Sequence, residues 1–236
     1  MFRIVYIISM IIWIASYPKS GNTWIRSLLS SYLFSRDGDF NFMLLDYIKQ
    51  FSSFDFSKND KSKEHYQEII SRNWIPTQKL INQNNKVNFL KTHNAMCSIN
   101  GNNFTDKNNT QAVIYIVRDP RNLITSLSNH YELSIGKSFE FLVNKRKIIF
   151  PENSTFKNLN DFNFLGDWSL HYNSWKSINF CPIKIVKYED FIENSEKVFI
   201  NILKFLSKFM TINLDKDKIK KSLNSTSFAS LSKLEK

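Results

Sequence analysis

The chain has 236 residues, 42% of them hydrophobic and 22% charged, and a formal net charge of +11 from 32 Lys and Arg against 21 Asp and Glu. That length suits one α/β domain, 1–236, with a sizeable core, and the charge suits an anionic partner, but no basic–aromatic repeat marks nucleic-acid binding. Two cysteines, Cys97 and Cys181, exclude a disulfide framework and a cysteine metal site, so a reducing, cytoplasmic compartment is the expectation.

In chain order, residues 1–9 read as an upstream apolar extension, with Met10 as the alternative start. The apolar run from Ile4 to Ala15 is shorter than the roughly 20 residues that span a bilayer, so no stable membrane insertion is expected. Ile11-Ile-Trp-Ile-Ala reads as a buried strand. It ends abruptly in Tyr17-Pro-Lys-Ser-Gly-Asn-Thr, and Trp24, Ile25, Leu28, Leu29 and Leu33 follow at helical spacing. Strand, tight loop and helix together aim several backbone N–H groups and a helix dipole at one spot. Lys19 adds a charge there, and Ser20 and Thr23 add hydroxyls. This chemistry suits a phosphate or a sulfate. It is not a Walker A loop, because Lys19 precedes Gly21 instead of following the last glycine. Read alone, it is also an ordinary β–α turn.

Residues 37–85 are polar and poorly patterned, and read as an insertion. Val87-Asn-Phe-Leu-Lys91 reads as a strand, with His93 just past its end. Ala112–Val117 is a second fully apolar strand. It runs into Arg118-Asp-Pro-Arg-Asn122 and a helix through Ile124, Leu127 and Tyr131, which Asp119 and Pro120 open. Arg118 then stands at the carboxyl end of a parallel strand, where open α/β sheets bind ligands. Ser126 lies about two helical turns on. Ser134 to Asp161 reads as a second insertion, and both insertions are expected over an acceptor cleft. Trp168, His171 and Trp175 share one helical face and read first as packing. Ile183 to Phe191 carries Tyr188, and Ser225-Thr-Ser-Phe-Ala-Ser-Leu231 follows near the end.

These segments together resemble the sulfotransferases that use 3′-phosphoadenosine 5′-phosphosulfate (PAPS), in their bacterial form. The Lys19 loop resembles the 5′-phosphosulfate loop, the Arg118 segment the 3′-phosphate site, and Lys91-Thr-His93 the segment with the general base. The resemblance implies a three-layer α/β fold with a central parallel sheet and a P-loop-like strand–loop–helix. It implies that Lys19, Ser20, Gly21, Asn22, Thr23 and Trp24 hold the phosphosulfate, and that Arg118 and Ser126 hold the 3′-phosphate. Ile183–Phe191 resembles the family's late strand, on which Tyr188 would approach the nucleotide, and Thr226, Ser227 and Phe228 would meet the adenine. His93 would be the base, with Lys91 steadying the transferred group. Gly166–Trp175 resembles the family's Trp-Ser-x-His-x-x-Ser-Trp helix, with acceptor-pocket lining as its second role. Read singly, Lys91 is equally a solvated lysine, Ser126 a helix serine bonded to its own backbone, Tyr188 a half-buried tyrosine and Phe228 a core residue.

The implied reaction moves a sulfuryl group from PAPS to a hydroxyl or amine of a small molecule, saccharide or lipid. It needs no metal, because Lys and Arg supply the positive field. Family members continue to an Arg-Lys-Gly loop, which this sequence lacks, so a truncated C-terminus is the expectation. Two alternatives stand beside the active enzyme. One is a non-catalytic protein binding PAPS or its product 3′-phosphoadenosine 5′-phosphate (PAP). The other is a P-loop kinase, which would want a carboxylate where the second strand ends in Arg118.

Overall fold

Strand β1 (Ile11–Ser16) is buried along its whole length, as its unbroken apolar run requires of a parallel strand covered on both faces. The computed structural model describes residues 10–52, 66–84, 86–149 and 162–234. The expected extension at 1–9 lies outside them. After β1 come α1 (Asn22–Phe34), a 3₁₀ turn (Phe42–Tyr47), β2 (Ile48–Gln50), α2 (Tyr66–Ile81), β3 (Asn88–Thr92), β4 (Ser98–Ile99), β5 (Asn102–Asn103) and β6 (Thr110–Val117). Then follow α3 (Pro120–Tyr131), α4 (Ile135–Val143), β7 (Ile148–Ile149), β8 (Asn163–Phe164), α5 (Trp168–Lys176), β9 (Ile183–Lys187), α6 (Tyr188–Glu193), α7 (Ser195–Leu206), α8 (Lys216–Ser225) and α9 (Phe228–Leu234).

The central sheet has five strands in the order β2-β3-β1-β6-β9, and every neighbouring pair is parallel. All five carboxyl ends therefore lie along one edge. Side chains alternate across the sheet. Ile12 and Ile14 of β1, with Ala112, Ile114 and Ile116 of β6, face Ile25, Leu28 and Leu29 of α1 and Phe199, Ile202 and Leu203 of α7. Ile11, Trp13 and Ala15, with Val113 and Tyr115, face Ile70 and Trp74 of α2 and Trp175 of α5. The result is the three-layer α/β arrangement expected from the sequence. A third cluster joins Tyr17 to Leu123 and Leu127 of α3, Phe141 and Leu142 of α4, and Leu165. No helix among the described residues is long and apolar enough to cross a membrane.

The two supposed insertions contain core elements, and this corrects the sequence reading. Residues 37–85 supply the edge strand β2 and the helix α2. Their patterning is hidden for physical reasons. β2 has three residues, too few to show a period. The inner face of α2 mixes Ile70 and Trp74 with buried Ser71, Thr77 and Gln78, and Pro76 lies inside the helix. The polar face is satisfied instead of apolar: Gln78 Nε2 donates to Phe104 O at 2.6 Å, and Thr105 Oγ1 donates to Gln78 Oε1 at 2.5 Å. The second insertion begins with α4, which buries Phe141 and Leu142. Residues 53–65, 85 and 150–161 of the two insertions lie outside the described residues.

Candidate functional site

The loop between β1 and α1 turns on two left-handed residues, Lys19 (φ 65°) and Gly21 (φ 92°). Lysine pays about 1–2 kcal/mol for that conformation, which is a strain typical of ligand-binding loops. Gly21 is required for a second reason: a Cβ there would stand 2.5 Å from the Tyr188 ring. Gly21 also caps α1 without any side-chain hydrogen bond. The N–H groups of the first helical turn thus open toward the loop with no side chain across them.

β6 delivers Arg118 to the same place. Its Nη1 donates to Lys19 O at 3.0 Å, and its guanidinium lies 4.4 Å from the centroid of the Tyr188 ring. Asp119 caps α3 by accepting from Arg121 N, with Pro120 at the first helical position. Asp119 pairs with Arg121 and leaves Arg118 to the loop. Tyr188 is the first residue of α6, not part of the strand as the sequence suggested, because β9 stops at Lys187. Among the described residues, Ser20 Oγ and Arg118 Nε are buried with no hydrogen-bond partner. The hydroxyls of Ser27, Ser138 and Ser222, which do not line the cavity described below, are buried without a partner as well; of these donors only Arg118 belongs to a residue that lines it.

β3 delivers His93. Its Nδ1 lies 2.7 Å from Ser16 O. A carbonyl only accepts, so Nδ1 carries the hydrogen. Burial, and then the nearby charge of Lys91, hold the His93 pKa well below its ordinary value. The ring is therefore neutral at pH 7, and Nε2 keeps its lone pair.

These groups line one cavity of about 430 Å³ at the carboxyl edge of the sheet. From the sequence-derived set it brings together Lys19, Gly21, Asn22, Thr23, Trp24, Lys91, His93, Arg118, Ser126, Tyr188 and Phe228. Three cations and no carboxylate line it among the described residues. Phe228 is 79% exposed, which rules out the core reading of that residue.

Some expected residues are placed otherwise. Ser20 is fully buried beneath the loop. The Asn22 amide turns back, donating to Ile14 O at 3.2 Å and Ser16 Oγ at 3.1 Å, so Asn22 braces the strand end and offers the cavity only its backbone. Thr226 is buried, and its hydroxyl closes the end of α8 on Ser222 O at 2.7 Å. It therefore does not line the cavity. Ser227 is tied to Ser230 at the start of α9. The cavity also includes Pro18, His130, Tyr131 and Leu231, which the sequence reading missed. His130 was within reach of it, since it stands four residues after Ser126 on the same helical face. Partial burial, and then the charge of Lys19, lower its pKa. Among the described residues, no group of three or more His, Cys, Asp or Glu is placed to hold a metal ion.

Comparison with known proteins bears on the family and the fold. The family model for the sulfotransferase domain matches residues 10–236. Luciferin sulfotransferase from Photinus pyralis is 24% identical over 224 residues, covering 92% of this chain. The chain spans 55% of that protein's length. A mouse sulfotransferase, SULT7A1, solved in complex with PAP, superposes with a TM-score of 0.56 at 17% identity, over 94% of this chain and 66% of that one. Retinol dehydratase solved with retinol and PAP superposes with a TM-score of 0.55 at 17% identity, over 96% of this chain and 68% of that one. At these identities the two structures speak for the fold.

Proposed function

We propose that this chain, which belongs to the sulfotransferase domain family, transfers a sulfuryl group from PAPS to a hydroxyl of a small organic acceptor. One observation carries the reading. A single cavity is lined by an uncapped helix N-terminus with its cationic loop and by a neutral histidine whose Nδ1–H is bonded to Ser16 O. Anion-binding donors and a proton acceptor in one cleft are what transfer of an anionic group to a hydroxyl requires.

The residues fit the donor molecule. Arg118, which lines the cavity, has a partnerless Nε, and Lys19 and the α1 N–H groups suit an oxyanion. When bound, PAPS would supply the sulfuryl group, which moves to the acceptor oxygen as PAP leaves. His93 Nε2 takes the proton that the acceptor loses. The Nδ1–H bond to Ser16 O holds the ring in the tautomer that can do so. Lys19 and the loop N–H groups hold the negative charge that grows on the leaving phosphate. Arg118 and Ser126 hold the 3′-phosphate, and Phe228 gives the adenine an aromatic face at the cavity mouth. The reading includes a cytoplasmic location. The ligands named for the relatives, luciferin and retinol, favour a small-molecule acceptor.

The test is transfer of labelled sulfate from PAPS to a panel of phenols and alcohols. Labelled product with stoichiometric PAP is expected. Stabilisation by PAP without transfer to any acceptor would reduce the protein to a nucleotide binder. Equal stabilisation by ATP and PAP would overturn the nucleotide assignment itself.

A further inference from the structure

The backbone just past β3 is held by a single stretch far downstream. His93 O accepts from His171 Nε2 at 3.0 Å, and Asn94 O accepts from Trp175 Nε1 at 2.9 Å. Met96 N donates to Ser174 Oγ at 3.0 Å. β8 completes the grip: His93 N donates to Asn163 Oδ1 at 3.3 Å, Ala95 N to Phe164 O at 2.8 Å, and Phe164 N to Asn94 Oδ1 at 2.9 Å.

His171 is the polar centre of this grip. It is fully buried, and its other ring nitrogen lies 2.8 Å from Tyr115 Oη in β6. Polarity along the chain of bonds is fixed at one end. His93 O can only accept, so His171 Nε2 carries its hydrogen. In the neutral ring, Nδ1 then accepts from the Tyr115 hydroxyl. A packing position against the rings of Tyr17 and Tyr115 does not call for an imidazole, because burying one costs desolvation unless both nitrogens are bonded. Here both bonds are spent on linking the middle of the sheet to the carbonyl of His93.

We propose that His171, steadied by Tyr115, is a positioning residue for His93. It holds the His93 backbone so that the ring keeps its Nδ1–H on Ser16 O and turns Nε2 to the cavity. The inference rests on reading His93 as the general base.

The experiment compares His171→Leu with His171→Gln, whose amide nitrogen can still donate to His93 O. Nitrogen-15 spectra of labelled histidine rings report the His93 tautomer independently of turnover, and only four histidines need assignment. In the wild type, His93 should show the Nδ1–H form. In His171→Leu that form should give way to a mixture, turnover should fall roughly 10- to 100-fold as for a slightly misplaced reacting group, and the PAP dissociation constant should stay within about twofold. His171→Gln should restore most of both signals. An unchanged His93 tautomer in His171→Leu would overturn the proposal, as would Gln restoring stability but not turnover. If His171→Leu does not fold, Tyr115→Phe should produce a smaller tautomer shift, and its absence would overturn the proposal equally. A protein that transfers sulfate to no acceptor would defeat the proposed function, while the tautomer measurement would still decide the positioning.

Discussion

At the Lys19 end of the cavity, α1 has no side-chain cap, and Arg118 Nε is buried without a partner. At the His93 end, the backbone is bonded at one residue after another, and the ring Nδ1 is tied to Ser16 O. The two ends lie on neighbouring strands, β1 and β3, of one sheet, yet they are built on opposite terms. A site that binds an anion must keep donors unsatisfied until the ligand arrives, and it carries that cost in the free protein. A base must offer one lone pair and nothing else that moves. On the proposed function, the contrast teaches that the Lys19 end is defined by what it lacks, and the His93 end by what it has already bonded.

If that contrast holds, substitutions at the two ends should fail in different ways. The largest loss is expected for His93→Ala, about 10²–10⁴ in turnover, as for removal of a general base. The loss should shrink for acidic phenols, which need less help in giving up a proton. Turnover measured across a phenol series checks this; an equal loss for every acceptor would break the assignment. Lys19→Ala should lower turnover by roughly 10²–10³, the scale of one lost stabiliser of developing charge. Steady-state rates on a variant with an intact circular dichroism spectrum provide the check, and wild-type turnover would remove Lys19 from the chemistry.

Arg118→Ala should act on binding instead. Nucleotides with a 3′-phosphate should lose about 1.5–3 kcal/mol, the range for hydrogen bonds to charged groups. Those without a 3′-phosphate should lose little. Calorimetry with both kinds separates the cases, and equal losses would place Arg118 elsewhere in the site.

The remaining effect concerns pH and stability. His93 and His171 are both neutral in the folded chain, with burial pushing His93 well below its ordinary pKa and His171 down to about 4. In the unfolded chain they titrate near about 6.5. The unfolded state therefore binds more protons once the pH drops below about 6.5. Stability should be full above that pH and fall as the pH approaches the folded values, by at most about 1.4 kcal/mol per pH unit for each histidine. Thermal unfolding from pH 7.5 to 5 should show the decline, with a shallower one in His171→Gln. A flat profile in the wild type would mean that these rings are not buried neutral.

Much of the Lys19 end was legible in the sequence. β1 and β6 are unbroken apolar runs, each followed by a distinctive loop and a periodic helix, so Lys19 and Arg118 could be placed before any coordinates. The His93 end was legible only in part. His93 follows a recognisable strand, but the bonds that hold it come from residues 163–175, and no local pattern encodes a contact of such long range. His171 could be read as a face-sharing residue with Trp175, not as the donor to His93 O. The helix α2 stayed hidden because its buried face is satisfied by hydrogen bonds through Gln78 and not by apolar contact alone. Thr226 misled for the opposite reason: its place in a motif suggested a ligand, but its hydroxyl is taken by the last turn of α8.

The division between the two ends is tested most directly by titrating PAP into His93→Ala and Arg118→Ala side by side in a calorimeter. The structure predicts wild-type affinity, within about threefold, for His93→Ala, and roughly tenfold or greater weakening for Arg118→Ala. If His93→Ala lost affinity for PAP as strongly as Arg118→Ala, the two ends would not be separate, and His93 would be a nucleotide ligand instead of the base.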